Sequence, residues 1–414
     1  MSQVNRLKKG GLVDRKKKFN FFYDGRKLSG YKGDTLASAL LANDVFLVGR
    51  SFKYHRPRGI LTKGFEEPNA LVQLESGDKT EPNIRATQQE LYDDLRAGSQ
   101  NCWPSVNFDL GSINDLMSSI FPAGFYYKTF MWPPSFWLFY EKFIRKAAGL
   151  GKAPQSKDTD RYDNFYEHCD VLIAGGGPAG ISAALACARS GSKTILVEDD
   201  FDFGGCLLTL DREINGQDPY SWIKSSINEL RLLENVTLLP RSTVTAYYND
   251  NYLTAVQRIT NHHGPNYKGN LPRERLWKIR ARHVILAQGS IERPLIFQDN
   301  DRPGIFMASA AHTYLKRFAV NVGKKIFLVT NNDYAYESAF AHADEGSEVT
   351  IIDVREQINS GLNSKVKKKN IKILLNHSVT STVGRKRIRG ITVRPMSPDK
   401  TAFAGSSKYF SLDA

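Results

Sequence analysis

The sequence predicts a mixed α/β and α+β chain: a small N-terminal α+β domain, then two βαβ units, one nested within the domain built by the other. Three observations carry this. Residues 17–100 hold short strand patterns around one helix. A glycine-rich turn at Gly175–Gly180 joins an apolar strand to an Ala-rich helix. A second apolar strand–helix–strand run begins at Ile326. With 414 residues, 41% hydrophobic and 24% charged, the chain has globular proportions, which exclude disorder and fibrous repeats.

In the first domain, Phe19, Phe21 and Tyr23 alternate with Asn20, Phe22 and Asp24, a strand pattern ending in the turn Asp24-Gly25. The segment TLASALLAND reads as a helix with Asp34 at its N-cap. Arg50 to Arg58 is basic, contains a proline and reads as loop, and Ala70 to Leu74 is a further short strand. Residues 101–160 form a segment dense in Trp, Phe and Tyr, including Trp103, Phe108, Phe121, Phe125, Tyr126, Tyr127, Phe130, Trp132, Phe136, Phe139 and Phe143. Solvated, it would expose a large apolar patch, so it is expected to wrap a domain or a partner subunit.

The aromatic stretch Ile120–Phe143 is the nearest approach to a membrane span. Lys128, Glu141, Lys142 and prolines interrupt it, and no membrane association is expected. The basic N-terminus lacks the apolar core of a secretory signal, and Cys102, Cys169, Cys187 and Cys206 are dispersed without metal-ligand spacing. The expectation is a reduced, cytoplasmic protein with no metal site. Of the net charge of +14, residues 1–60 carry most, with Lys and Arg far exceeding the four Asp there. No nucleic-acid motif accompanies that charge, so no nucleic-acid partner is expected.

The chemistry is written at 161–318. Val171-Leu172-Ile173 leads into Gly175-Gly176-Gly177-Pro178-Ala179-Gly180, a helix follows, and Thr194–Val197 ends at Glu198. This is the G-x-G-x-x-G turn of a Rossmann-like βαβ unit. Gly175 permits the turn, Gly177 lets a pyrophosphate approach the backbone, and Gly180 packs helix on strand. The helix N-terminus favours the phosphates. Glu198 is placed for ribose hydroxyls, and Asp199 and Asp200 beside it disfavour NADP against NAD or FAD. Gly204-Gly205 follow, then Cys206, which has no companion thiol for a relay. Cys187 falls mid-helix and reads as packing.

At 319–395 the frame repeats: laid over the first unit, Gly346 takes the place of Gly191 and Asp353 that of Glu198. Thr330, Asn332 and Ala335 take the places of the three glycines, so the phosphate clamp is lost in this copy. Two such units are the arrangement of two-dinucleotide-domain flavoprotein reductases. Residues 396–414 read as a shortened return to the first nucleotide domain. No nucleophile elbow, zinc-helix motif or phosphate-binding P-loop occurs, and no residue is assigned a catalytic role.

The runs VGRSFKYHRPRGILTKGFEEPNALVQL and TEPNIRATQQELYDDLRAGSQNCWPSVNFDLGSINDLMSSIFPAGFYYKTFMWP, with GGGPAG and ERPLIFQDNDRPGI, closely resemble the α subunits of heterotetrameric sarcosine oxidases. The resemblance covers the chain from about residue 17. It implies a complex with β, γ and δ-like subunits that demethylates sarcosine oxidatively with O2 and passes the one-carbon unit to tetrahydrofolate. FAD and FMN would belong to the β subunit or its boundary, and NAD to this chain. Carried across by position, the NAD site comprises Gly175, Gly177, Pro178, Ala179, Gly180, Glu198, Asp199, Asp200, Gly204, Gly205, Cys206 and Val244. Ala287-Gln288-Gly289 resembles the superfamily's Ala-Thr-Gly strand end.

The first domain resembles β-grasp ferredoxin domains. Their C-x4-C-x2-C cluster positions fall here on Thr62, Glu67 and Ala70, so no iron–sulfur cluster is expected. The family's α subunit continues into a folate-binding half that this sequence lacks, so a truncated or split subunit is expected, with folate reached only through the missing part. Two other readings stand beside this one: a structural scaffold holding a non-redox nucleotide, and a free-standing NADH-dependent FAD reductase.

Overall fold

β1 (Asp14–Tyr23) and β2 (Arg26–Lys32) form a hairpin because Asp24 and Gly25 both take positive φ, 46° and 75°, as a tight two-residue turn requires. Phe21 and Tyr23 point into the core, as their alternation predicts. α1 (Leu36–Ala42) follows, every residue of it buried. Its N-cap is Thr35 rather than the expected Asp34. Thr35 Oγ1 accepts from the Ser38 N–H at 3.2 Å and Ser38 Oγ accepts from the Thr35 N–H at 3.0 Å, a reciprocal capping box. Asp34 is committed elsewhere, to Arg6 at 2.7 Å and the Ser38 hydroxyl at 2.7 Å.

Within the expected loop Arg50–Arg58, β3 (Gly49–Arg50) and β4 (Pro57–Arg58) make a two-residue antiparallel ladder. Pro57 has no N–H to extend it. β5 (Leu71–Leu74), β6 (Glu81–Arg85) and β7 (Leu95–Ser99) complete a sheet of order β2-β1-β7-β5-β6, in which β1 and β7 are parallel. This mixed sheet around one helix is the ferredoxin-like domain.

The computed structural model describes residues 3–119, 124, 132–147 and 151–414. Backbone contacts divide the chain into two units, Met1–Lys157 with Glu292–Ala414, and Asp158–Ile291. In the aromatic segment lie α2 (Ile113–Leu116) and α3 (Trp137–Ala147). Trp103, Phe108, Trp132, Phe136, Phe139 and Phe143 are exposed. The wrapping expected of Phe121, Phe125, Tyr126, Tyr127 and Phe130 lies outside the described residues.

The unit Asp158–Ile291 holds β8 (Tyr162–Ala174), α4 (Pro178–Arg189), β9 (Thr194–Val197), α5 (Pro219–Leu232), β10 (Val236–Leu239), β11 (Ser242–Tyr248), β12 (Tyr252–Arg258) and β13 (Glu274–Leu286). Their sheet runs β10-β9-β8-β13-β12-β11, with β10, β9, β8 and β13 parallel. The apolar run Leu172–Ile173 is buried on both faces, as a central parallel strand demands.

After Glu292 come α6 (Ala308–Lys316), β14 (Lys325–Thr330), α7 (Tyr336–Asp344), β15 (Glu348–Asp353), α8 (Ser360–Lys368) and β16 (Lys372–Leu375), then the meander β17 (His377–Gly384), β18 (Ile388–Pro395) and β19 (Lys408–Ser411). β14, β15 and β16 form a parallel sheet, the second βαβ frame. Tyr314 and Phe318, on and just after α6, join the same buried cluster as Phe21, Leu36 and Leu95.

Candidate dinucleotide site

The strand β8 ends at Ala174, and the chain then turns sharply into α4. Gly175 sits at φ 110°, where a side chain would strike the Ala287 carbonyl, and a side chain on Gly180 would strike the Gly175 carbonyl. Both positions therefore require glycine for close packing. Gly177 differs: a Cβ there would meet nothing nearer than the Gly205 Cα at 4.0 Å. Glycine at 177 leaves open room beside the backbone at the N-cap of a twelve-residue helix, whose Pro178, Ala179 and Gly180 form the first turn. Such a helix end carries free N–H groups and partial positive charge.

Glu198 stands at the end of β9 and reaches back to this loop. Its Oε2 accepts from the Gly176 N–H at 2.7 Å and its Oε1 from the Asp200 N–H at 2.9 Å. Burial pushes its carboxyl up to about 7, with the charges of Asp200 and Asp199 adding to the rise. Gly204 donates to the Gly176 carbonyl at 2.8 Å, which ties the Gly204–Gly205 turn to the glycine loop. Cys206 follows, itself exposed, in a single turn whose Leu207 and Leu208 are buried.

Asp199 accepts from the Thr243 hydroxyl and lies 3.5 Å from Arg258 Nη2. Asp200 Oδ1 accepts from the Asp202 N–H at 3.3 Å. Val244 packs against the core cluster of Leu172 and Val197, two residues beyond Ser242, whose N–H donates to the Glu198 carbonyl at 2.7 Å. Thus the fold gathers Gly175–Gly180, Glu198, Gly204 and Gly205, while Val244 belongs to the sheet beside them.

Sequence reasoning missed Thr243 and Arg258, which engage Asp199. Only the antiparallel pairing of β11 with β12 brings them there, Ser242 opposite Gln257, and no local signal announces that register.

The second frame closes its turn with side chains. Thr330 Oγ1 accepts from the Asn332 N–H at 3.1 Å, and Asn332 Oδ1 accepts from the Tyr334 N–H at 3.0 Å. Asp353, the counterpart of Glu198, is buried and accepts from Tyr336 Oη at 2.7 Å and Arg355 Nη2 at 2.7 Å. Its hydrogen-bonding capacity is taken up within the protein.

Residues 169–406 match the family of pyridine nucleotide-disulphide oxidoreductases. The chain belongs to that family. It is a homologue of sarcosine oxidase subunit alpha, being 47% identical to that of Rhizobium meliloti (strain 1021) over 94% of this chain and 39% of the relative. To the sarcosine oxidase subunit alpha of Corynebacterium sp. (strain U-96) it is 36% identical over 85% of this chain and 32% of the relative. The chain therefore spans between about a third and two fifths of the length of these relatives. Among solved structures, L-proline dehydrogenase from P. horikoshii shares the fold with a TM-score of 0.58 at 18% identity, covering 100% of this chain and 61% of that one.

Residues 16–102 match the 2Fe-2S iron-sulfur cluster binding domain. This corrects the expectation that the domain holds no iron–sulfur cluster, which rests on Thr62, Glu67 and Ala70 at the aligned positions and on Cys102 standing alone. At those positions the loop is built around a carboxylate. Glu67, 1% exposed, accepts from the N–H groups of Leu61 and Thr62 at 2.9 and 2.6 Å through Oε2, and from those of Asn69 and Ala70 at 2.8 and 3.0 Å through Oε1. Thr62, Glu67 and Ala70 do not fit the thiolate ligand set of such a cluster. Among the described residues no group of three or more His, Cys, Asp or Glu could hold a metal ion, and no helix is long and apolar enough to cross a membrane.

Proposed function

We propose that this chain is the NAD-binding part of a sarcosine oxidase-like complex, which demethylates sarcosine oxidatively to glycine with O2 and tetrahydrofolate. The observation that carries the dinucleotide reading is the contrast within the glycine loop. Gly175 and Gly180 are demanded by packing, whereas glycine at 177 leaves open space at a helix N-terminus. A pyrophosphate is the group that uses such space. The N–H groups of the first turn of α4 would bind it, and Glu198 would orient the adjoining ribose. Asp199 and Asp200 favour NAD over NADP by charge, although Arg258 softens that preference.

Partners resembling the β, γ and δ subunits, and a cytoplasmic location, belong to the same reading. Its support is the 47% identity to a sarcosine oxidase subunit alpha. A second reading, a scaffold whose nucleotide never turns over, is favoured by the second frame, where Arg355 and Tyr336 occupy Asp353. Calorimetric titration with NAD, NADP and FAD tests the site. Saturable binding of NAD, weaker binding of NADP and none of FAD are expected. Preference for FAD would overturn the reading. Following nicotinamide absorbance while the assembled complex turns over sarcosine separates a redox role from the scaffold.

A further inference from the structure

Within the unit formed by Met1–Lys157 and Glu292–Ala414 lies a cavity of about 130 Å³, walled mainly by apolar side chains such as Phe306, Leu328, Val379 and Ile391. Its lining includes no residue of the glycine loop. Two polar side chains reach it from one face of α7: Ser338 and His342, four residues apart. They are 4% and 1% exposed. Neither Ser338 Oγ nor either ring nitrogen of His342 makes a hydrogen bond of ordinary geometry within the protein, although the Ala311 carbonyl lies close enough to the ring to act on it. Proteins satisfy nearly all such groups, because an uncompensated buried polar atom is costly. Burial pushes the His342 ring down to about 4 and His312 acts in the same sense, although the Ala311 carbonyl favours the protonated form. At neutral pH the ring is thus uncharged, with one nitrogen a donor and the other an acceptor.

We propose that this cavity binds a small uncharged molecule of about one aromatic ring in size, bearing a hydroxyl or carbonyl group that hydrogen-bonds Ser338 and His342. The size follows from the volume, since an apolar cavity of roughly 150 Å³ accommodates benzene. The absence of ligand charge follows from the lining. Of its charged members, Arg293 is exposed, and Glu292 is engaged by the N–H groups of Ala308 and Ser309 at 3.2 and 2.9 Å. The polar group follows from Ser338, whose hydroxyl the fold leaves without a partner, and from the His342 ring beside it.

Phenol and toluene are suitable probes, being similar in ring size and differing in the hydroxyl. Each is titrated into the full chain, with histidine-selective NMR assigned through His342→Leu. Phenol is expected to saturate, to move the His342 ring signals and to bind about fivefold tighter than toluene, the discrimination of one neutral hydrogen bond. Ser338→Ala, a small truncation that keeps the helix, is expected to reduce that preference to about twofold or less while toluene binding persists. Failure of both probes to saturate would mean a site filled by water alone and would overturn the proposal. So would equal affinity for the two probes, or saturation that leaves the His342 signals unmoved.

Discussion

At the scale of single residues, the glycine loop separates packing from binding. Gly180→Ala places a methyl against the Gly175 carbonyl, so unfolding free energy should fall by about 1–3 kcal/mol, read from urea denaturation. Gly177→Ala meets no such obstacle, and stability should stay within about 0.5 kcal/mol of the parent while NAD affinity drops at least about tenfold. Equal effects of the two changes would contradict the assignment. Glu198 carries a pH signature. Its carboxyl rises from 4.5 to about 7 on folding, so between those values the unfolded chain releases a proton that the folded chain keeps. Stability from this group therefore declines as pH rises from 4.5 to about 7, and Glu198→Gln should flatten that part of the melting profile. The glycines and Glu198 were legible in the sequence because a turn between strand and helix fixes their spacing. The raised carboxyl was not, because burial arises from the whole sheet.

Elements dominated by local pattern read well, and those set by long-range pairing did not. β8, α4 and β9 follow from an apolar run, an Ala-rich run and the glycines between them. The cap of α1 was misplaced by one residue, because Arg6, distant in sequence, claims Asp34. The β3–β4 ladder and the reach of Arg258 to Asp199 depend on strand register, which short sequence windows do not encode. The loop around Glu67 is the sharpest case: its composition shows no cluster thiolates, while the fold shows a buried carboxylate holding four backbone N–H groups. Glu67→Gln turns an amide toward some of those donors and should cost about 3 kcal/mol, measured as a lowered denaturation midpoint. A loss under about 0.5 kcal/mol would show that the carboxylate does not organise the loop.

For the whole molecule, the exposed aromatic residues set the expectation. Phe139 and Phe143 are 56% and 61% exposed, and their rings lie 5.0 Å apart on α3. A surface of this kind is covered in an assembly. The isolated chain should self-associate in light scattering, and Phe139→Ser with Phe143→Ser should reduce that association. A monodisperse parent chain would contradict this. The central claim, that the glycine loop of a sarcosine oxidase-like subunit holds NAD, is tested most directly by denaturing the purified chain and identifying the released nucleotide by mass. NAD is expected from the parent chain, and no nucleotide from the Gly177→Ala chain. Release of FAD, or an equal yield of NAD from the Gly177→Ala chain, would contradict it.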